Sequence, residues 1–126
     1  MQEYRVEVQD SGNIEWRQNN KRHRLDGPAR EYANGDKLWY KNGERHRLDG
    51  PAVEGADGYK AWYQNGKRHR LDGPAIEYAS GNKSWYIEGK ELTEDEFNSI
   101  NNVEVTLEDI AKAMNIDVDK LRIKEH

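Results

Sequence analysis

The stretch "WYKNGERHRLDGPA" at residues 39–52 sets the architecture of this chain, because a close copy of it returns every 23 residues. Its last seven residues, HRLDGPA, occur without a substitution at 23–29, 46–52 and 69–75. The tryptophan that opens it keeps the same spacing in four copies: Trp16, Trp39, Trp62 and Trp85. A fixed period of this length predicts a repeat protein whose units stack to build a continuous core.

Each unit contains two turn signals and two strand signals. Asn42-Gly43 favours a type I′ turn, in which both central residues have positive φ, and Asn34-Gly35 marks a second turn. Between the turns lie short segments that mix large apolar and charged residues, such as "KLWYK" at 37–41, as is typical of strands. The proline of the heptad cannot donate to a ladder, so HRLDGPA is expected to bend or break the second strand. The pattern predicts a series of antiparallel hairpins.

Two segments, "WYKNGERH" at 39–46 and "WYQNGKRH" at 62–69, resemble MORN repeats. They share an aromatic residue, then Asn-Gly, then a basic residue and His, and the resemblance covers about residues 12–91. The family's His-Gly-x-Gly stretch is replaced here by HRLDGPA, and the aromatic pair is displaced relative to Asn-Gly. The chain is therefore similar to divergent MORN-like repeats of bacterial and bacteriophage proteins. The resemblance implies an elongated sheet of hairpins and a role in protein contacts, and it offers no catalytic residue to transfer.

The predicted fold is mainly β, with an elongated antiparallel sheet of stacked hairpin repeats over residues 1–91. Residues 3–8, EYRVEV, alternate between apolar and charged side chains, as expected of an edge strand that starts the sheet. Residues 92–126 are predicted to form a small helical or α/β cap, since repeat arrays need atypical ends.

The cap begins with a sequence signature for a helix start. Thr93 and Glu96 form a capping box, so a short helix is expected from Glu94, with Phe97 and Ile100 facing inward. A second helix is expected after Thr106, between short strands at 103–105 and 121–123.

The second helix also has some character of a helix-turn-helix. Residues 92–126 carry four basic and nine acidic residues, however, and their net charge of −5 disfavours DNA binding.

Composition limits the class of protein. The chain is 34% hydrophobic and 35% charged, with a mean hydropathy of −1.22, which predicts a thin core. Its 10% aromatic content argues against disorder. There is no cysteine, so disulfides and thiolate chemistry are excluded. No apolar run is long enough to span a membrane, and the acidic N-terminus is unlike a signal peptide, so a cytoplasmic protein is expected, in a host cytoplasm if the protein is viral.

Three copies of the heptad raise four hypotheses for its role. The first two, a metal site and a catalytic site, are disfavoured. Equivalent histidines on successive units should lie about 10 Å apart, too far to share one metal ion. An active site is usually one set of catalytic residues in a single pocket, whereas three identical copies along a sheet form a repeated surface. We therefore expect no metal, no cofactor and no enzymatic activity.

The third hypothesis is structural. If the heptad continues a strand, Arg24 and Asp26 face one side and His23 and Leu25 the other. Gly27 and the proline after it then fix a bend, at which Asp accepts backbone N–H bonds.

The fourth hypothesis is recognition by a stripe of arginines on successive units. Residues 16–91 hold 15 basic and 11 acidic residues, a net charge of +4, which is modest for a nucleic-acid binder. The candidate binding residues in this stripe are Arg22, Arg24, Arg45, Arg47, Arg68 and Arg70.

The Trp-Tyr pairs leave two alternatives open, because consecutive residues on a strand face opposite sides. Either both rows pack, one on each side of the sheet, or the Trp row forms the core and the Tyr row is exposed beside the arginines. On the second alternative, Tyr40 and Tyr63 join the candidate binding residues.

The function expected from these residues is a protein-interaction module, plausibly of bacterial or bacteriophage origin, that modulates or inhibits a host protein. The alternative is a nucleic-acid or anionic-ligand binder that uses the arginine stripe. Because an open sheet leaves unpaired edges, a homodimer through these edges also remains open.

Overall fold

The computed structural model describes residues 4–102, which form an open antiparallel sheet followed by one helix. The mainly β fold class is confirmed. The strands are β1 (Arg5–Val8), β2 (Ile14–Gln18), β3 (Lys21–Arg22), β4 (Arg30–Glu31), β5 (Lys37–Leu38), β6 (Tyr40–Lys41), β7 (Glu44–Arg45), β8 (Val53–Glu54), β9 (Lys60–Ala61), β10 (Tyr63–Gln64), β11 (Lys67–Arg68), β12 (Ile76–Glu77), β13 (Lys83–Ile87) and β14 (Lys90–Leu92). The helix is α1 (Glu94–Asn102).

The main sheet follows the order β1-β2-β4-β5-β8-β9-β12-β13-β14, and β3 pairs with β2 beside this path. The two middle units split at Trp39 and Trp62, whereas β2 and β13 continue through the tryptophans of the first and last units. Before Trp39, β5 pairs with β4 on one side and β8 on the other. After Trp39, β6 leaves the path and forms a hairpin with β7. The repeats therefore build a sheet along one line and a row of hairpins beside it.

Backbone hydrogen bonds join each hairpin to the next. The Gly43 N–H donates to the Arg22 carbonyl at 2.9 Å, and the Arg24 N–H donates to the Tyr40 carbonyl at 3.2 Å. The same bonds recur one unit later, so the hairpins are stacked in register.

The predicted type I′ turns are present at the hairpin tips. Asn42 and Gly43 have φ values of 51° and 85°, and the next copy has 51° at Asn65 and 81° at Gly66. Asparagine tolerates this left-handed conformation better than most residues, and glycine adopts it without strain. The local sequence alone therefore determines where each hairpin turns.

The core is thin, as the composition predicted. Ala52, Ala61, Tyr63 and Ile76 form one buried cluster, and Trp39 packs against it from a half-buried position. Four of the nine buried hydrophobic residues within 4–102 are alanines, so the core encloses little apolar volume.

The first unit replaces part of this apolar core with charge. Glu15, which occupies the position of Ala61 two units later, is 3% exposed and accepts hydrogen bonds from Arg17, Arg22 and Arg30. Burial works against the charged carboxylate, but the three arginines outweigh it and lower its pKa from 4.5 to about 2.

The helix confirms the predicted capping box. The Thr93 N–H donates to Glu96 Oε1 at 2.8 Å, and the Glu96 N–H donates to Thr93 Oγ1 at 3.1 Å. Phe97 is 4% exposed and lies 6.5 Å from Trp85, ring centre to ring centre, so α1 covers the end of the array.

Other expectations for the cap lie outside the described residues. These are the second helix after Thr106, with its helix-turn-helix alternative, and the short strands at 103–105 and 121–123. Within residues 4–102, no helix is long and apolar enough to cross a membrane.

Candidate partner-binding surface on the heptad loops

Each heptad forms a loop that is held by its own arginine. The Arg47 guanidinium carbon lies 3.9 Å from the centre of the Trp39 ring. Arg47 Nε donates to Asp49 Oδ1 at 3.0 Å, and Nη1 donates to the Pro51 carbonyl at 3.0 Å and to Glu54 Oε2 at 2.9 Å. We call the residues in this role the heptad arginines: Arg24, Arg47 and Arg70.

The glycine of the heptad lies directly against the guanidinium, and the alanine of the heptad is fully buried. A Cβ added to Gly50 would lie 2.9 Å from Arg47 Cζ. At this distance the guanidinium would have to move away from its present position. Gly27 and Gly73 stand in the same position, and their added Cβ atoms would meet the arginine at the same distance. Ala52, which ends the heptad, is 0% exposed. The guanidinium is therefore held between the tryptophan ring and the loop backbone.

The structure contains the bend and the Arg–Asp pair that the structural hypothesis predicts, and it corrects two details of that hypothesis. Arg24 and Asp26 do meet, at 3.0 Å. The Asp26 carboxylate, however, accepts a hydrogen bond from the Arg24 side chain, and not from a backbone N–H as the sequence predicts. His23 and Leu25 do not share an environment, because His23 is 6% exposed and Leu25 is 72% exposed. The loop bends at these residues, so the alternation of a strand does not apply to them.

The histidines join consecutive units. The Nδ1 atoms of His23, His46 and His69 each accept a backbone N–H bond of 3.0 Å from the residue 19 positions later. In each bond Nδ1 is the acceptor and the backbone of the following unit is the donor, so the imidazole ties two units together. Burial and the nearby Lys41 lower the pKa of His46, whereas Glu44 opposes the shift. In residues 4–102, no group of three or more potential ligands could hold a metal ion.

A second arginine row lies along the hairpins, and we call its members the hairpin arginines: Arg22, Arg45 and Arg68. Each lies 5.3–5.4 Å from the centre of a tyrosine ring in the next unit. Arg22 also donates to the buried Glu15, whereas Arg45 and Arg68 are exposed and make no ion pair within residues 4–102.

The tyrosines settle the open question of the Trp-Tyr pairs. Tyr40 and Tyr63 are 9% and 7% exposed, and Tyr63 belongs to the core cluster. Trp39 and Trp62 are half-buried beneath their arginines. Both rows pack, so the alternative of a tryptophan core with an exposed tyrosine row is wrong. Buried tyrosines offer a partner little surface, and we leave Tyr40 and Tyr63 out of the candidate surface.

Two open grooves run between consecutive heptad loops. The first, of about 680 Å³, lies between the loops 24–28 and 46–49 and includes Trp39 and Lys41. The second, of about 510 Å³, lies between the loops 47–50 and 69–72 and includes Trp62 and Gln64.

Leucines of the heptads line these grooves. Leu48 is 71% exposed and lines both grooves, while the equally exposed Leu25 lines the first. Sequence reasoning missed these leucines as binding residues. The signal was present, because Leu is the one large aliphatic side chain of the heptad and is repeated three times.

The electrostatics differ from those of a basic stripe. Each heptad arginine lies within ion-pair distance of an Asp and a Glu. Glu15 similarly compensates Arg22. Of the six arginines predicted to form the stripe, Arg45 and Arg68 are the two without an ion pair to any residue between 4 and 102. The grooves therefore combine leucine, tryptophan and paired charges.

Comparison of the chain with protein-family models, with curated proteins and with solved structures finds no match in any of the three. The resemblance to MORN repeats stays a prediction.

Proposed function

We propose that this protein is a non-enzymatic protein-interaction module that binds its partner across the heptad loops. The observation that carries the proposal is the pair of grooves, in which exposed leucines stand beside half-buried tryptophans. Interface cores are enriched in aromatic residues and arginine, and this surface offers both. Leu25 and Leu48, which are 72% and 71% exposed, would be the first side chains to enter an interface, with the half-buried Leu71 beside them in the second groove.

The rigidity of the loops supports the proposal. Binding costs free energy when loops and long side chains must be ordered. Here Arg47 is already held by Trp39, Asp49 and Pro51, so the loop that presents Leu48 is ordered in advance. Because the units repeat in register, an extended segment of a partner would meet equivalent groups along the array.

The charge pattern favours a protein over a nucleic acid. A nucleic-acid site needs arginines that are free to neutralise phosphates. The heptad arginines are paired with carboxylates, and the Asp26 and Asp49 side chains at the groove rims are 86% and 88% exposed. These acidic rims would repel phosphate. The resemblance to bacterial and bacteriophage repeats makes a host protein the partner to be sought first.

Affinity capture followed by direct titration tests the proposal. The wild type and the double variant Leu25→Asp/Leu48→Asp are used as bait in native host lysate, and the captured protein is then purified and its Kd measured. We expect the double variant to weaken binding by about tenfold or more, since burial of a leucine contributes about 1.5–3 kcal/mol. The control, Asn34→Asp/Ser80→Asp, adds the same two charges in the other turn of the units and should bind like the wild type.

Two results would contradict the proposal. One is a partner that binds the leucine variant as tightly as the wild type. The other is retention on mixed-sequence RNA or DNA that falls steeply with salt and is lost in Arg45→Glu/Arg68→Glu, which would establish the nucleic-acid alternative.

A further inference from the structure

The first strand of the sheet leaves one edge unpaired among the described strands. β1 pairs with β2 and stands at the end of the strand order. The apolar residues of β1, together with Tyr4 just before it, are exposed on one face: Tyr4 is 42%, Val6 45% and Val8 72% exposed. An open strand with apolar residues of this kind is a template for another strand. The opposite end of the array is instead covered by α1.

The charged face of β1 is mismatched with its neighbour. Arg5 lies opposite Arg17, and Glu7 lies opposite Glu15. Like charges directly opposite one another destabilise a strand pair. Arg17 and Glu15 are bonded to each other at 2.7 Å, whereas within residues 4–102 Arg5 and Glu7 make no ion pair.

The hydrogen-bonding pattern shows which backbone groups face the open edge. The Trp16 N–H donates to the Ala29 carbonyl at 2.7 Å and so points away from β1. Val6, which lies opposite Trp16, is therefore in a non-hydrogen-bonded pair, and its own N–H and C=O point away from β2. By the same alternation, the backbone groups of Tyr4 and Val8 also point to the open edge.

We propose that a second copy of this chain pairs with this edge, with the two β1 strands antiparallel and centred on Val6. In this register, Val6 lies opposite Val6 of the second copy and Tyr4 lies opposite its Val8. Arg5 lies opposite Glu7 of the second copy, and Glu7 opposite its Arg5. Each charge therefore gains the opposite partner that β2 does not provide.

Neighbouring registers fit less well. A centre on Arg5 or Glu7 keeps the outward-facing backbone groups paired, but it places like charges opposite each other at the axis. A centre between Val6 and Glu7 sets apolar residues against charged ones. Of these registers, the one centred on Val6 matches both the apolar face and the charges. The dimer joins two sheets across a two-fold axis, so that each assembly carries two heptad-loop surfaces.

Sedimentation velocity of the full chain tests the proposal. A single strand pair is a small interface, so loading concentrations should run from about 10 µM to about 1 mM. We expect dimer to form within this range. Val6→Pro removes the N–H at the axis, and because that N–H does not pair with β2, an edge strand tolerates the proline. We expect this variant to raise the dimer dissociation constant by about tenfold or more, with circular dichroism showing an unchanged fold.

Charge exchange provides the decisive control. Arg5→Glu and Glu7→Arg should each weaken self-association, because each places like charges opposite one another. The double variant Arg5→Glu/Glu7→Arg should restore it, and a mixture of the two single variants should form heterodimers. A chain that stays monomeric throughout the range overturns the proposal, as does a dimer that ignores these variants. Leu25→Asp/Leu48→Asp should leave dimerisation unchanged, which separates this test from that of the proposed function.

Discussion

The two arginine rows are built from the same residue type two positions apart, yet they differ in what they do. The heptad arginines, such as Arg47, are stacked on tryptophan and bonded to an Asp, a proline carbonyl and a Glu. Of the hairpin arginines, Arg45 and Arg68 lie exposed beside tyrosine rings, whereas Arg22 is half-buried and bonded to Glu15. Repetition of a basic residue along the array therefore does not by itself indicate a ligand-binding site. The number of partners already present in the fold decides whether an arginine is free to bind.

The largest expected effect is that of removing a heptad arginine. Arg47→Ala should lower the free energy of unfolding by about 3 kcal/mol, because it removes a cation–π contact and charge-assisted hydrogen bonds and exposes Trp39. Arg45→Ala should cost about 0.5 kcal/mol or less, as for most surface substitutions. Urea denaturation of both variants measures the difference, and equal costs would break the distinction between the rows.

The second effect comes from the glycine that covers the guanidinium. Gly50→Ala should cost about 1–2 kcal/mol, because the new Cβ would lie 2.9 Å from Arg47 Cζ. In the double variant Gly50→Ala/Arg47→Ala, the cost of the alanine at position 50 should largely disappear, since its neighbour is gone. A double-mutant cycle by urea denaturation measures this coupling, and additive costs would show that the close contact is not the cause.

The third effect is pH dependence at His46, which lies between the two rows. The pKa of His46 is lowered from 6.5 in the folded state. Between this lowered pKa and pH 6.5, the unfolded chain therefore binds more protons at His46 than the folded chain does. The stabilisation from His46 is therefore complete above pH 6.5 and is lost as pH falls through the lowered pKa.

His46→Asn is the matched variant for this prediction, since its amide oxygen can accept a similar hydrogen bond but does not titrate in this range. The gap in unfolding free energy between wild type and variant should shrink, or reverse, as pH falls below about 6.5. A gap that stays constant with pH would mean that His46 titrates alike in both states.

The smallest effect is expected at the loop tip. Leu48→Asp should change the free energy of unfolding by no more than about 0.5 kcal/mol, because the side chain is 71% exposed. Thermal denaturation checks this. A large destabilisation would mean that Leu48, like Arg47, stabilises the fold. The proposed binding surface would then lose its central residue.

Much of the fold could be predicted because its signals are local. Asn42-Gly43 determines a hairpin tip through its own backbone preferences, and Thr93 with Glu96 determines a helix start within four residues. The edge strand at the N-terminus followed from alternation alone. The candidate site was less predictable, because its residues are assigned by contacts between loop, strand and neighbouring unit.

His23 and Leu25 illustrate the limit. Alternation places them on one face, but the bend of the loop buries the first and exposes the second. Tyr40 and Tyr63 illustrate it again, since alternation left open whether their row is packed or exposed, and packing between units buries both.

The sequence by itself determined the period, the turns, the strand class and the helix start, because each depends on preferences of residues close along the chain. Only the tertiary structure decided which arginines are paired with carboxylates, how the two aromatic rows pack and which apolar residues are exposed. These outcomes depend on packing between units, where one guanidinium can satisfy a ring, two carboxylates and a carbonyl at once. The exact repetition of HRLDGPA reflects that packing, since each copy must close the same joint.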